Sequence, residues 1–305
     1  MRIVPRLILL MMLTLVSGLL PEPAGFVRAF QEGHALRDRM EYRAALASFE
    51  RAQAFRRQSA LPSLWMARTY LDLGMPAKAL PLFREAFNRG AEGPDLFIDW
   101  GRAFYELGDA ERAVHLWQGA VDLDERWAAA YFRLGMAALE RDDWARAAEG
   151  LEAALNRGIS GEDAQTACYW LGILYTLVNH TAAAAHLAEA GRGPDPLLAE
   201  RAEFIAGALT QPVPAQQTRA GLLGAALFNL EHWAMAQAHL GAALIERPTD
   251  VEVLAYLGAL QDRRGHPADA AHYLRQALAL APDHPLALFL WGRHHVGVGA
   301  LDAAR

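Results

Sequence analysis

The chain has 305 residues, of which 53% are apolar, and its formal net charge at pH 7 is only −6. Its basic residues are scattered, and no basic stripe with interleaved aromatic residues is present, which argues against nucleic-acid binding. The single cysteine, Cys168, excludes an intrachain disulfide and a cysteine-based metal site. The chain also has no alternating run of β-branched residues, which favours a helical fold.

The first 24 residues form a segment of their own. Arg2 and Arg6 precede an apolar run, Leu7 to Leu20, which ends at the helix-breaking residues 21–23. This order is typical of a secretory signal peptide, and the run is shorter than the ~20 residues that span a bilayer comfortably. Residues 1–24 therefore predict export with cleavage or a retained N-terminal membrane anchor. An apolar cap on a cytoplasmic protein is a third interpretation.

Small residues recur along the rest of the chain with a period of 34 residues. The first four and the last three of them are each 34 residues apart. The eight positions are Gly33, Ala67, Gly101, Gly135, Gly172, Gly224, Gly258 and Gly292. An alanine follows twelve residues after each, at positions 45, 79, 113, 147, 184, 236, 270 and 304. Because small residues permit close approach where helices cross, the pattern predicts an array of helix–turn–helix units.

Turn residues fall where this period requires them. Gly74, Gly108 and Gly265 stand where a first helix should end, and Pro76 and Pro267 suit the start of a second helix. Seven complete units follow from this spacing, at 26–59, 60–93, 94–127, 128–161, 165–198, 217–250 and 251–284, with a partial unit from 285.

This pattern resembles the tetratricopeptide repeat family over nearly everything after residue 25. The segment 251–284 matches the family pattern most fully, through Leu254, Leu257, Gly258, Ala270, Leu274, Ala277 and Pro282. The resemblance implies an all-α fold, a right-handed superhelical solenoid of stacked helix pairs.

The period breaks at two places, which sets the predicted domain organisation. Three residues, 162–164, are added after the fourth unit, and 18 residues are added after the fifth. The longer insertion holds a helix-compatible stretch and then the Pro-rich residues 210–214. We expect a five-repeat array at 25–198, an extra helix with a stiff connector at 199–216, and two full repeats with one partial repeat at 217–305. The insertion should bend the array into two sub-solenoids.

The resemblance also implies a binding surface. In similar arrays the first helices line a concave groove, and the matching positions of this chain give it an apolar floor and an acidic edge. The candidate partner-binding residues are Phe30, Asp38, Leu64, Arg68, Asp72, Ile98, Arg102, Glu106, Phe132 and Glu140. Such a groove suits a basic or amphipathic segment of another protein.

A second interpretation of these groove positions stays open. Arg68–Asp72 and Arg102–Glu106 have the spacing of ordinary ion pairs on an exposed helix, which contribute a few tenths of a kcal/mol each. Neighbouring helices can also cover the apolar positions.

Eleven histidines raise the question of metal binding or catalysis. Four of them fall at nearly the same place on predicted second helices, which the resemblance turns towards solvent: His115, His186, His239 and His272. The sequence contains no zinc-hydrolase motif, no nucleophile elbow and no P-loop. We therefore expect no catalytic residue, no metal site and no cofactor.

These features predict a non-enzymatic protein–protein interaction scaffold or assembly subunit, exported or anchored to the membrane, which binds its partner in the groove. An alternative is the repeat portion of a larger enzyme, for example a glycosyltransferase fusion, whose catalytic domain lies beyond residue 305. The last unit stops at the start of its predicted second helix. This favours either a longer natural chain or a subunit contact at the open C-terminal end.

Overall fold

The structure, a computed structural model, describes residues 24–303, with side chains to residue 299. The predicted targeting segment lies outside the described residues, except for Ala24, which begins the first helix. The described part contains sixteen helices and no strand, which confirms the all-α prediction. Among these helices, none combines the length and the apolar character that a membrane span requires. By its contacts the chain divides into two compact units between Ala130 and Tyr131.

Unit 1 consists of three helix pairs. In each pair the first helix packs on the second, and the second helix then packs on the first helix of the next pair. The helices are α1 (Ala24–Asp38), α2 (Tyr42–Phe55), α3 (Ala60–Asp72), α4 (Pro76–Asn88), α5 (Pro94–Glu106) and α6 (Ala110–Leu123).

Unit 2 contains four helix pairs and two helices without a pair of their own in the described residues, α11 and α16. Its first helix begins shortly before the division between the units. The helices are α7 (Ala128–Leu139), α8 (Trp144–Asn156), α9 (Gly161–Tyr175), α10 (His180–Ala190), α11 (Pro196–Thr210), α12 (Arg219–Asn229), α13 (Trp233–Glu246), α14 (Val251–Arg263), α15 (Pro267–Leu280) and α16 (Pro285–Ala303).

The physical basis of the 34-residue pattern lies where the two helices of a pair cross. A Cβ placed on Gly101 would lie 2.5 Å from Nε1 of Trp117, and one placed on Gly258 would lie 2.6 Å from Leu274. In both pairs a small residue on the first helix faces a buried large side chain on the second helix. The small residue is therefore required by the close contact of the two helices.

Most turns within the pairs need one residue with a positive φ. In three pairs this residue is glycine: Gly74, Gly108 and Gly265. At the same turn position in three other pairs, Met40, Asp142 and Glu231 have φ values of 61°, 55° and 65°. A side chain makes this conformation unfavourable, although aspartate tolerates it better than most residues. In these three turns a residue with a side chain therefore adopts a conformation that glycine would adopt more easily.

Helix α11 occupies the place of the predicted insertion, but it begins at Pro196 rather than at residue 199. The Asp195 side chain caps its first turn by accepting hydrogen bonds from the backbone N–H groups of Leu197 and Leu198. Its residues Ala202 and Ile205 are fully buried in the largest hydrophobic cluster of unit 2. The insertion thus lies inside a compact unit, and the division between the units falls elsewhere, within α7.

The single helix α11 changes which helices meet. It packs on both α9 and α10, as the first helix of a following pair does elsewhere, and α12 then packs directly on α11. As a result, Tyr169 on α9 and Thr176 at its C-terminal cap contact α13 and its N-terminal cap. The Tyr169 hydroxyl lies 2.5 Å from Nε2 of His232, and Oγ1 of Thr176 lies 2.7 Å from Nε2 of His239. The prediction that His239 faces solvent is therefore wrong, since its side chain is only 3% exposed.

The final helix also departs from the expected repeat. Helix α16 continues through Gly292 and Gly299 to Ala303, although the sequence predicts that a second helix starts before the end of the chain. A Cβ placed on Gly292 would meet no atom within 4 Å. Helix α16 packs instead on α14 and α15. A glycine does not end a helix by itself, and among the residues that the structure describes no helix packs against the glycine-bearing side of α16.

Candidate functional site

The first helices of unit 1 are joined by ion pairs between successive repeats. Nε of Arg37 on α1 donates to the carboxylate of Asp72 on α3 at 2.7 Å, and Nε of Arg68 on α3 donates to that of Asp99 on α5 at 2.6 Å. The period of the repeat places these partners side by side, 35 and 31 residues apart in sequence. We call the surface that they form on α1, α3 and α5 the first-helix face.

Trp65 lies at the centre of this surface. The guanidinium carbons of Arg37 and Arg68 lie 5.2 Å and 4.7 Å from its ring centroid, which is the range of cation–π contacts. The His34 ring meets Trp65 edge-on, with 4.1 Å between the ring centroids. Both arginines are thus held by an aromatic ring as well as by a carboxylate. Their side chains are positioned before any partner arrives.

A polar recess of about 280 Å³ opens between these side chains. It is lined by Arg37, Trp65, Arg68, Leu71, Asp72, Asp95, Asp99 and Arg102. Among the carboxylates that form ion pairs around this recess, that of Asp95 is the most accessible. Its side chain is 61% exposed and lies 4.0 Å from Arg68. A second carboxylate, Asp38, is exposed at the end of α1.

The first-helix face carries an excess of negative charge. Its charged residues are the basic Arg37, Arg68 and Arg102 and the acidic Asp38, Asp72, Asp95, Asp99 and Glu106. Three positive and five negative groups leave a net charge of −2 when all the carboxyl groups are ionised. Burial raises the pKa of Asp99 and the Arg68 guanidinium opposes that change. Burial also lowers the pKa of His34, which disfavours a positive charge on its ring.

The structure distributes the predicted ion pairs differently from the sequence-based interpretation. Arg102 and Glu106 form the expected pair along one helix, at 2.7 Å. Arg68 and Asp72 do not pair with each other, because each has a partner on a neighbouring first helix. The reason is geometric, because adjacent repeats bring an opposite charge within reach. The side chains of these pairs between helices are less exposed than those of the Arg102–Glu106 pair along one helix.

The predicted apolar floor of the groove is largely part of the packing. Phe30 is half-buried and stacks on Phe26, with 5.6 Å between the ring centroids. Leu64 packs against the hydrophobic cluster of α3 to α5. Ile98 is half-buried, and its carbonyl oxygen accepts a hydrogen bond from the Trp117 ring at 3.1 Å. These contacts favour the interpretation that neighbouring helices cover the apolar positions.

The other two predicted groove residues belong to unit 2. Phe132 is 3% exposed and packs with Leu151 and Leu171, so it offers almost no surface to a partner. Glu140 is exposed and lines a different cavity, formed within unit 2. In unit 1 the predicted acidic series comprises Asp38, Asp72 and Glu106. The sequence-based prediction missed Trp65 and Asp99, although each lies one residue from a position that it selected.

Comparisons with known proteins support the repeat assignment. The tetratricopeptide repeat family model matches residues 251–284, and a second model of the same description matches 98–164 and 132–195. No curated protein matches the chain. The C-terminal part of a TPR repeat-containing protein from Cytophaga hutchinsonii superposes with a TM-score of 0.51 at 17% identity, over 86% of this chain and 98% of that one.

Two further solved structures are similar at lower scores. A tetratricopeptide repeat protein from Parabacteroides merdae has a TM-score of 0.49 at 12% identity, over 90% of this chain and 100% of that one. The structure of the APC/C hetero-tetramer Cut9–Hcn1 has a TM-score of 0.43 at 17% identity over 90% of this chain. This chain spans 47% of the length of that Cut9–Hcn1 chain. The small-residue period, the helix pairs and the family matches agree: the chain contains tetratricopeptide repeats, which the family models match at residues 98–195 and 251–284.

Proposed function

We propose that this protein is a non-enzymatic scaffold which holds a basic segment of a partner protein on the first-helix face of unit 1. Tetratricopeptide repeats indicate a protein-interaction role. The proposal that this surface binds a basic segment rests on the pre-positioned network of arginines and carboxylates around Trp65, with its excess of negative charge. A fixed network loses little side-chain entropy on binding, which favours affinity.

The exposed carboxylates are the proposed contact points. Lysine or arginine side chains of the partner can reach Asp38 and Asp95 without breaking the Arg37–Asp72 and Arg68–Asp99 pairs. Opposite charge at an exposed surface accelerates association more than it slows dissociation. The partner segment is therefore expected to bind faster at low salt.

A pair of peptides tests this proposal. One is a short amphipathic peptide of lysine and leucine, and the other replaces each lysine with glutamate. We expect the basic peptide to bind and the acidic peptide to bind at least about tenfold more weakly. Asp38→Asn combined with Asp95→Asn should slow the association of the basic peptide about threefold to tenfold and reduce its salt dependence.

A matched control removes the same number of charges from second helices. Glu50 and Glu111 are exposed on α2 and α6, so Glu50→Gln combined with Glu111→Gln changes the net charge equally. This control should associate like the wild type. If both double variants slow the basic peptide equally, only net charge matters and the first-helix face is not the site. Equal binding of the two peptides also contradicts the proposal.

The location of the protein is a separate part of the proposal, and it is supported by the sequence of residues 1–24. We expect the native protein to be exported or held at the membrane by this segment. N-terminal sequencing of the native protein should begin between Leu19 and Phe26, or should find the segment intact in the membrane fraction. A cytoplasmic protein that retains Met1 would contradict both outcomes.

A further inference from the structure

A second cavity, outside the first-helix face, lies entirely within unit 2. Its volume is about 320 Å³, and three half-buried tryptophans contribute to its walls: Trp144, Trp170 and Trp233. The remaining apolar lining comes from Met136, Leu139, Leu174, Ala234 and Met235. The volume lies at the lower end of the range for small-molecule sites, about 300–1,000 Å³.

The ionisable residues that line this cavity give it negative charge. Glu140, Asp142 and Glu231 line it and are exposed, whereas no lysine or arginine does. Burial, together with the nearby Arg201, lowers the pKa of His232 to about 4, so its ring is neutral at pH 7. The cavity therefore combines apolar aromatic walls with carboxylates at the accessible edge.

Two turns of the array contribute to the cavity in the same way. Asp142 and Glu231 occupy the same turn position in two repeats, and each precedes a lining tryptophan by two residues. Both have a positive φ, at a position where three other pairs have glycine. Backbone strain of this kind is a common property of functional sites. Here the two turns place two carboxylates and two indole rings around one cavity.

The chemistry of these walls selects one kind of ligand. Tryptophan is the best aromatic partner for a cation, and quaternary ammonium groups are held in this way. A primary ammonium or a guanidinium carries several N–H donors. If its nitrogen lay between the indole rings, away from the carboxylates at the edge, these donors would stay unsatisfied at a considerable free-energy cost. A quaternary ammonium has no donor to satisfy. The Arg263 guanidinium lies 5.6 Å from the Trp233 centroid but does not line the cavity.

We propose that the cavity between the Trp144 turn, Trp170 and the Trp233 turn binds a small quaternary-ammonium compound of the choline class. The three indole rings hold the methylated nitrogen, and Asp142 and Glu231 supply the opposite charge at the edge. This site uses no residue of the first-helix face. Its failure would leave the proposed binding of a basic segment untouched.

Choline chloride is the probe for this proposal, titrated into the full chain at constant ionic strength and followed by tryptophan fluorescence and calorimetry. The uncharged tert-butyl analogue of choline has the same shape without the charge, and ethanolamine has the charge without the methyl groups. We expect choline to bind in the micromolar to millimolar range and both analogues to bind at least about tenfold more weakly. Glycine betaine should also bind more weakly, because its carboxylate meets Asp142 and Glu231.

Substitution of the rings tests the location of the site. Trp170→Leu and Trp233→Leu should each weaken choline binding about tenfold or more. Trp100→Leu removes a half-buried tryptophan of unit 1 and serves as the matched control, with unchanged choline affinity. Melting curves and circular dichroism establish that each variant is folded.

The two turn carboxylates allow a variant that should weaken binding without harming the fold. Asp142→Gly combined with Glu231→Gly gives both turns the residue found at Gly74 and Gly108, so the fold should be at least as stable. Choline affinity should fall about tenfold with the lost charge. Met40→Gly relieves the same kind of turn in unit 1 and should leave choline affinity unchanged. The proposal is overturned if choline does not bind, if its uncharged analogue binds equally well, or if the ring variants bind like the wild type.

Discussion

Unit 1 and unit 2 follow the same 34-residue pattern, yet they bring different side chains together. In unit 1 the first helices succeed one another regularly, so residues 31 and 35 apart form ion pairs across neighbouring repeats. In unit 2 the single helix α11 interrupts this order, and residues 63 apart form the hydrogen bonds of His232 and His239. The chemistry of a repeat protein therefore depends on which helices a break in the period places side by side.

Acid should weaken unit 2 through His239. Burial lowers the pKa of this side chain from 6.5 to about 4. Above pH 6.5 the ring is neutral in the folded and unfolded states and does not affect the free energy of unfolding. Between pH 6.5 and about 4 the unfolded chain binds the proton first, so the free energy of unfolding falls as the pH falls. A pKa shift of this size corresponds to a decrease of about 3 kcal/mol in the free energy of unfolding.

Urea unfolding of the wild type and of His239→Gln across this pH range measures the effect. The amide of glutamine can still bond to Thr176 but does not titrate, so the variant should lose less stability on acidification. Parallel pH dependence of the two proteins would show that His239 does not contribute.

Overpacking should destabilise both units. Ala113 in unit 1 and Ala147 in unit 2 are fully buried at the same repeat position. Ala113→Leu or Ala147→Leu forces extra methylene groups between the helices and should lower the free energy of unfolding by about 1–3 kcal/mol. Arg146→Gln, at an exposed side chain, should change it by less than about 0.5 kcal/mol. Equal denaturation midpoints for all three variants would show that the repeat positions are misassigned.

The ion pairs of unit 1 should have a smaller effect. The Arg68 side chain is mostly buried, so Asp99→Asn leaves a poorly solvated guanidinium without its nearest partner charge. A double-mutant cycle of Arg68→Met and Asp99→Asn should give a coupling energy of about 1 kcal/mol, at the upper end for accessible pairs. The Arg112–Asp109 pair at the start of α6, whose arginine is well exposed, should couple more weakly. If the coupling energy of Arg68–Asp99 is no larger than that of Arg112–Asp109, the first-helix face is not pre-positioned.

The turns should give the smallest effect, with the opposite sign. Met40→Gly in unit 1 and Glu231→Gly in unit 2 relieve a positive φ, and each should raise the free energy of unfolding by about 0.5 kcal/mol. The gain is small because glycine also increases the entropy of the unfolded chain. Asp142→Gly should gain less, because aspartate tolerates this conformation. Lower melting temperatures for Met40→Gly and Glu231→Gly would show that the positive φ at these residues does not strain the fold.

The sequence predicts the repeats well because their packing is local. Small residues such as Gly101 and Gly258 face large ones on the next helix, and this requirement repeats visibly along the chain. The ion pairs could have been anticipated too, since Arg37–Asp72 and Arg68–Asp99 each span about one repeat. Trp65 could not be assigned to the face, because an isolated tryptophan on a helix is equally compatible with the core.

The surroundings of α11 and α16 could not be predicted from the period. The sequence indicates that a helix is inserted near residue 199, but its place in the core depends on packing between elements that are distant in sequence. The burial of His239 follows from that placement and has no local signal. Likewise, the period predicts the start of a second helix in the last unit, whereas the continued helix α16 depends on the absence of a partner helix among the described residues.

We propose that a basic partner segment binds across α1, α3 and α5 of unit 1. The most direct measurement is photo-crosslinking of the lysine–leucine peptide, labelled with a diazirine, followed by mass-spectrometric identification of the labelled residues. We expect crosslinks around Trp65, Asp95 and Arg102, which are lost when the peptide carries glutamate. Crosslinks confined to α2, α4 and α6, or to unit 2, would contradict it.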